Sequence, residues 1–191
     1  MQNAIIGTFG DSYTHGYIKG VNGHFENPLG VSTFRRFARS GSTAQQWAEN
    51  KDNLLADACS RSFDVMVGSL GGNDAFAAMA DCVVTDTEKV VALASLYYVL
   101  RKLSCAHHKI ILLLYPDPFW GAKPEAAAGR NQLVEAIAAV ARFANAQYNN
   151  IIMLDLSTVL GPQHFDGVDI HPNEDGYKAM ASAVTDLIDR M

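Results

Sequence analysis

The sequence predicts an α/β protein, a three-layer α/β/α sandwich around a mostly parallel five-stranded sheet. Three observations carry this. Short apolar runs bounded by turn residues occur at 4–9, 65–67, 110–115 and 151–154. They are nearly continuous in hydrophobic residues, as strands covered on both faces are. Longer stretches with helical periodicity, 43–59, 87–105, 125–147 and 173–191, alternate with them. Such alternation argues for parallel strands joined by right-handed helical crossovers.

In chain order, residues 4–9 form the first strand, and residues 31–37 a strand whose Arg35 and Arg36 mark it as an edge. Residues 16–30 between them are rich in glycine and read as a loop, as do the proline-interrupted residues 116–124. Ser42 or Thr43 is the expected cap of the helix over 43–59, since a side-chain oxygen there satisfies a free N–H of the first turn. Asn73 has the same plain reading before a helix at 75–80. Pro172 at the first helical position, with Glu174 and Asp175 in the first turn, opens the last helix. No repeat or linker divides the chain, so one domain over residues 1–191 is expected.

Composition excludes several classes. A chain of 191 residues that is 49% hydrophobic and 18% charged is long and apolar enough to hold a core without staples, burying roughly 70% of its unfolded surface. Its 15 basic and 20 acidic side chains give a net charge of -5, with no basic stripe to track a phosphate backbone, so nucleic acid is not expected as a partner. No apolar run approaches the ~20 residues of a membrane helix. The first strand begins where a secretory signal would lie, so a cytoplasmic location is expected. Cys59, Cys82 and Cys105 are odd in number and widely spaced, which predicts buried free thiols. The adjacent rings of His107 and His108 diverge, and neither pattern makes a metal site.

In a doubly wound sheet, ligands collect beyond the carboxyl ends of the strands, so the strand exits carry the functional reading. The first strand runs into Gly10-Asp11-Ser12-Tyr13-Thr14, a hydroxyl in a sharp turn and thus a candidate nucleophile. Thr14 stands where the nucleophile elbow of the alpha/beta hydrolases has its second glycine, which disfavours that elbow. The third strand exits into Ser69-Leu70-Gly71-Gly72-Asn73-Asp74, where the Asn73 amide is a candidate oxyanion donor. Gly41, in Ser40-Gly41-Ser42-Thr43, offers an unhindered backbone N–H. Near the C-terminus, Asp169 and His171 lie two apart in an extended segment and project to the same side, which suggests an oriented general base. His15 is a poor alternative, three residues after the serine in the same turn.

Taken together, Gly10-Asp11-Ser12, Gly41, Gly71-Gly72-Asn73-Asp74 and His171-Pro172-Asn173 resemble the motifs of the SGNH hydrolases, the GDSL-type lipases and esterases, in that family's order and over nearly the whole chain. The resemblance implies a flavodoxin-like sheet and no cofactor. It implies Ser12 as nucleophile, His171 as general base, and the Ser12 N–H, the Gly41 N–H and the Asn73 amide as the oxyanion hole. The family usually places an aspartate three residues before the histidine, and here that residue is Val168. Asp169, preferred on distance, Asp166 and a backbone carbonyl are the alternatives for orienting the ring.

The expected activity is hydrolysis of a short-chain carboxylic ester, a small water-soluble substrate, because no long lid or interfacial helix is evident. Tyr13, Trp47, Phe76, Phe119 and Trp120 lie near strand exits and are candidates to line an acyl pocket. The family also contains carbohydrate O-acetylesterases, lysophospholipases and thioesterases, and fold does not choose among them. A binding module on the same scaffold is the alternative from another class, and an organophosphate or sulfonyl fluoride discriminates, since it labels only an activated serine. A dinucleotide- or nucleotide-binding domain is disfavoured, because neither G-x-G-x-x-G nor a P-loop follows the first strand.

Overall fold

The computed structural model describes residues 4–16, 33–74, 85–116, 124–166 and 170–191. Its centre is a five-stranded, all-parallel sheet of β1 (Ile5–Gly10), β2 (Thr33–Arg36), β3 (Val65–Ser69), β4 (Lys109–Leu114) and β5 (Ile151–Asp155), in the order β2-β1-β3-β4-β5. β3 is buried at every residue and β4 at all but its first. Their unbroken apolar sequences, rather than an alternating pattern, reflect cover on both faces. β2 lies at an edge as its arginines predict, with Arg35 and Arg36 exposed.

The helices are α1 (Ser12–His15), α2 (Ala44–Ala48), α3 (Leu54–Ala58), α4 (Asp86–Ala106), α5 (Pro124–Tyr148) and α6 (Glu174–Asp189). α4 begins in a capping box in which Thr85 and Glu88 exchange side-chain hydrogen bonds with each other's backbone. α2 begins in another, between Thr43 and Gln46, which makes Thr43 the cap. The chain runs from β1 outward to β2 and then returns past β1 to β3. The strand order thus reverses at β1, and the switch point falls between the exits of β1 and β3.

Several expectations are corrected. The single helix expected over 43–59 is two short helices with a 3-10 turn, Lys51–Asn53, between them. Asn50, Asp52 and Asn53 adopt left-handed backbone angles, with φ of 55°, 52° and 61°. Asn and Asp tolerate that region better than other residues with a side chain, and helical periodicity does not register it. Pro172 is not the first helical residue: Asn173 caps α6 by accepting from Gly176 N at 3.0 Å, and Pro172 precedes the cap. The thiols are not buried, since Cys59 is half-buried and Cys105 exposed, while Cys82 lies outside the described residues. The helix expected at 75–80 also lies outside them.

The core joins the strands to the inner faces of the helices through Ile6, Phe9, Trp47, Met66, Leu100, Leu103 and Tyr177, all fully buried. Trp47 therefore packs in the core, edge-on to Phe9 at 6.3 Å, and does not line a pocket. His107, at the end of α4, is buried too, and its Nδ1 accepts from the Phe63 N–H at 3.3 Å. Burial, with His108 beside it, pulls its pKa from 6.5 to about 4. No helix among the described residues is long and apolar enough to cross a membrane.

Candidate active site

The exit of β1 is shaped by Gly10. Its φ of 99° is open to glycine, and a Cβ there would lie 1.8 Å from the Ser69 carbonyl oxygen. The chain can thus turn sharply while Asp11 N stays hydrogen-bonded to Ser69 O at 3.0 Å. Asp11 caps α1 by accepting from the Tyr13 N–H, and Ser12 is the first residue of that single turn. Ser12 is mostly buried, and its Oγ lies 2.8 Å from Nε2 of His171, a residue 159 positions away in sequence. His171 sits directly before the Pro172-Asn173 entry to α6, where Asn173 N donates to His164 O at 2.8 Å. Tyr177, on the first turns of α6, reaches back to the Ser12 carbonyl at 3.4 Å.

The Gly41 loop is pinned to the same strand end. The Gly10 carbonyl accepts from Arg39 N at 2.8 Å and from Ser42 Oγ at 2.9 Å, and Trp47 Nε1 donates to that same Ser42 hydroxyl at 3.0 Å. Gly41 has φ of 78°, a conformation that side chains resist, so glycine presents this N–H without strain. Asn73 lies at the exit of β3, already within a helical turn over residues 72–74, and so is not the residue before a helix. Its Nδ2 donates to the Ser42 carbonyl at 2.9 Å, which fixes the amide plane against the Gly41 loop. Asp74 adds a second tie by accepting from Ala44 N at 2.7 Å and Gln45 N at 3.3 Å. Burial raises its pKa against those two bonds.

Beneath the serine lies a buried polar network that sequence reasoning missed. Asp11 Oδ1 accepts from Ser69 Oγ at 2.6 Å, and Oδ2 accepts from the Tyr115 hydroxyl. The Tyr115 hydroxyl accepts in turn from Gly72 N at 2.9 Å, and Thr14 Oγ1 accepts from Ser69 N at 2.7 Å. The network ties the exits of β1, β3 and β4. Asp11, Ser69 and Tyr115 are each the polar residue at or just after a strand end, and that position was their one sequence signal. Burial pushes Asp11 from 3.8 up to about 6 despite these donors. Burial and the neighbouring Asp11 push the Tyr115 phenol well above its ordinary value, so it remains a hydrogen-bond donor.

Asp11 and His107 oppose each other in acid. Stability from Asp11 is fully present below pH 3.8 and is lost as pH rises through about 6, since the folded protein holds a proton that the unfolded chain has released. Stability from His107 is fully present above pH 6.5 and is lost as pH falls through about 4, since there the unfolded chain takes up a proton that the folded one refuses. His107→Asn keeps an acceptor for Phe63 N and should lose Tm relative to wild type as pH is raised across this interval. Asp11→Asn should gain Tm relative to wild type over the same change. Thermal denaturation at a series of pH values checks both, and curves parallel to wild type would contradict both assignments.

The remaining expected residues divide clearly. Asp169 lies outside the described residues, as do Phe76, Phe119 and Trp120. Asp166 accepts from Asn173 Nδ2 at 3.3 Å and so belongs to the entry of α6. Tyr13 is buried, with its ring beside the His171 imidazole. His15 is turned to the β2 edge, where its Nδ1 meets the Ala38 carbonyl at 3.1 Å and Arg36 meets Nε2. Burial lowers its pKa, and the Arg36 charge adds to this. Among the described residues, no three or more His, Cys, Asp or Glu side chains are grouped to hold a metal ion.

Comparison with known proteins bears on this arrangement. The model of the GDSL-like Lipase/Acylhydrolase family matches residues 8–179. No curated protein matches the sequence. Among solved structures, Axe2, an acetylxylan esterase from Geobacillus stearothermophilus, matches with a TM-score of 0.70 at 17% identity, over 98% of this chain and 96% of that one. LAE5, an alpha/beta hydrolase enzyme from the metagenome of Lake Arreo, Spain, matches with a TM-score of 0.67 at 18% identity, over 95% of this chain and 93% of that one. At these identities the likeness is one of fold.

Proposed function

The chain belongs to the GDSL-like lipase/acylhydrolase family and is a carboxylic ester hydrolase, and from that premise we propose that it cleaves short-chain esters through an acyl-enzyme on Ser12, with His171 as general base. The observation that carries this reading is the 2.8 Å separation of Ser12 Oγ and His171 Nε2 at the sheet's switch point. A serine hydroxyl is a weak nucleophile until a base takes its proton, and Nε2 is within reach to do so. Ser12 Oγ attacks the ester carbonyl as its proton passes to His171. The tetrahedral oxyanion is held by the N–H groups of Ser12 and Gly41 and by the Asn73 amide. The intermediate collapses as His171 returns the proton to the leaving alcohol, and water then hydrolyses the acyl-enzyme by the same route. Asp169, two residues before His171, orients the ring.

Fixed donors matter because they need no reorganisation when the oxyanion forms. Asn73 meets this condition through its bond to Ser42 O, and Gly41 through the pinning of its loop to Gly10 O. A short acyl chain is in keeping with Axe2, an acetylxylan esterase of the same fold. Hydrolysis of p-nitrophenyl esters from acetyl to palmitoyl tests the proposal. Turnover should be greatest at acetyl or butyryl and fall at longer chains. A maximum at long chains would redirect the assignment to a lysophospholipase or thioesterase, and acetylated xylo-oligosaccharide tests the carbohydrate O-acetylesterase reading beside it.

A further inference from the structure

The family's name spells Gly-Asp-Ser-Leu, and in this chain the residue after the serine is Tyr13. Leucine at that place fills space; tyrosine also brings a hydroxyl, which needs a partner when buried. Tyr13 is 6% exposed, and its hydroxyl donates to the carbonyl of Ile170, 157 positions away and directly before His171. The peptide that carries the imidazole is thus tied to the residue beside the nucleophile. The Tyr13 ring also lies against the imidazole, with centroids 5.9 Å apart at 38°. Behind it, Tyr115 packs edge-on at 5.4 Å and 89°, and Tyr115 is itself fixed by Gly72 N and Asp11.

We infer that Tyr13 is a positioning residue for the His171 base, its hydroxyl holding the Ile170 carbonyl and its ring backing the imidazole. His171 is then held from both sides. On the C-terminal side, Asn173 N is bonded to His164 O and the Asn173 side chain caps α6. On the N-terminal side, Tyr13 fixes the preceding peptide, in a segment where the family's usual aspartate position is Val168. A general base must sit within hydrogen-bond reach of the proton it takes, and displacements of an ångström are costly. The device joins nucleophile and base through adjacent residues, so Ser12 and His171 keep their spacing if α6 shifts against the sheet.

The inference rests on Ser12 and His171 acting as proposed above, and the experiment separates the two. Tyr13→Phe, Tyr13→Leu and His171→Ala are compared with wild type for kcat and KM on p-nitrophenyl acetate, for the rate of labelling by phenylmethanesulfonyl fluoride, and for Tm. Tyr13→Phe keeps the ring and loses the tie. Its kcat should fall about tenfold with KM within about twofold, and labelling should slow in proportion, because misplacement of the base affects attack and not binding. Tyr13→Leu loses the ring as well and should fall by about a hundredfold. If that variant does not fold, Tyr13→Phe alone decides. Unchanged kcat in Tyr13→Phe would overturn the inference, whether or not Tm drops, and so would a rise in KM at constant kcat. Wild-type turnover in His171→Ala would instead overturn the catalytic reading on which it rests.

Discussion

Ser12→Ala is expected to abolish ester hydrolysis while leaving the fold intact. The side chain is small and stands in the first turn of α1, where alanine is a good residue, so the loss of one hydroxyl removes the nucleophile and little else. The backbone N–H of residue 12 remains, as do Gly41 and Asn73, so a residual rate from oxyanion stabilisation alone is the most the variant can show. Turnover of p-nitrophenyl acetate beside wild type, with circular dichroism and Tm on the same samples, checks this. Wild-type turnover in a folded variant would remove Ser12 from the chemistry.

Asn73→Ala is expected to lower kcat by roughly 100- to 1,000-fold, the usual effect of losing one oxyanion donor, with a much smaller change in KM. The substitution also frees the Ser42 carbonyl from its 2.9 Å bond, so the Gly41 loop loses one of its ties. Asp74 and the Ser42 hydroxyl still hold that loop, through Ala44 N at 2.7 Å and the Gly10 carbonyl at 2.9 Å. Asn73→Asp is the sharper companion, since it is nearly isosteric but sets a carboxylate where negative charge develops, and it should be no more active than the alanine variant. Steady-state kinetics on both variants decides the role. A loss confined to KM would make Asn73 a binding residue.

Much of the fold was legible because it is written in hydrophobic periodicity. Apolar runs located four of the five strands, and α4 and α5 fall within a residue of the periodic stretches at 87–105 and 125–147. Where backbone angles rather than periodicity decide, the reading failed: the left-handed Asn50, Asp52 and Asn53 break a segment that looks like one amphipathic helix. At α6 the rule for proline placed the helix start two residues early, because the Asn173 side chain caps the helix and Glu174 is its first residue.

The candidate site divides in the same way. Ser12, Gly41, Asn73 and His171 were legible because each stands at a strand exit or helix entry, where a doubly wound sheet collects its ligands. Trp47 was misplaced because an aromatic next to a strand exit serves core and pocket equally well by sequence, and only packing tells them apart. The Asp11, Ser69 and Tyr115 network needed the strand register. Gly10 pairs with Ser69 across β1 and β3, and that pairing brings the Ser69 hydroxyl to the Asp11 carboxylate. No spacing along the chain encodes it.

The central claim is that Ser12 is an activated nucleophile, and the most direct test is covalent capture. Wild-type protein is incubated with phenylmethanesulfonyl fluoride, its intact mass is measured, and the modified peptide is sequenced. The account predicts one added sulfonyl group, on Ser12, with loss of esterase activity in step with labelling and no reaction of the His171→Ala variant on the same time scale. Full esterase activity in protein that stays unlabelled, or a label on a residue other than Ser12, would contradict it.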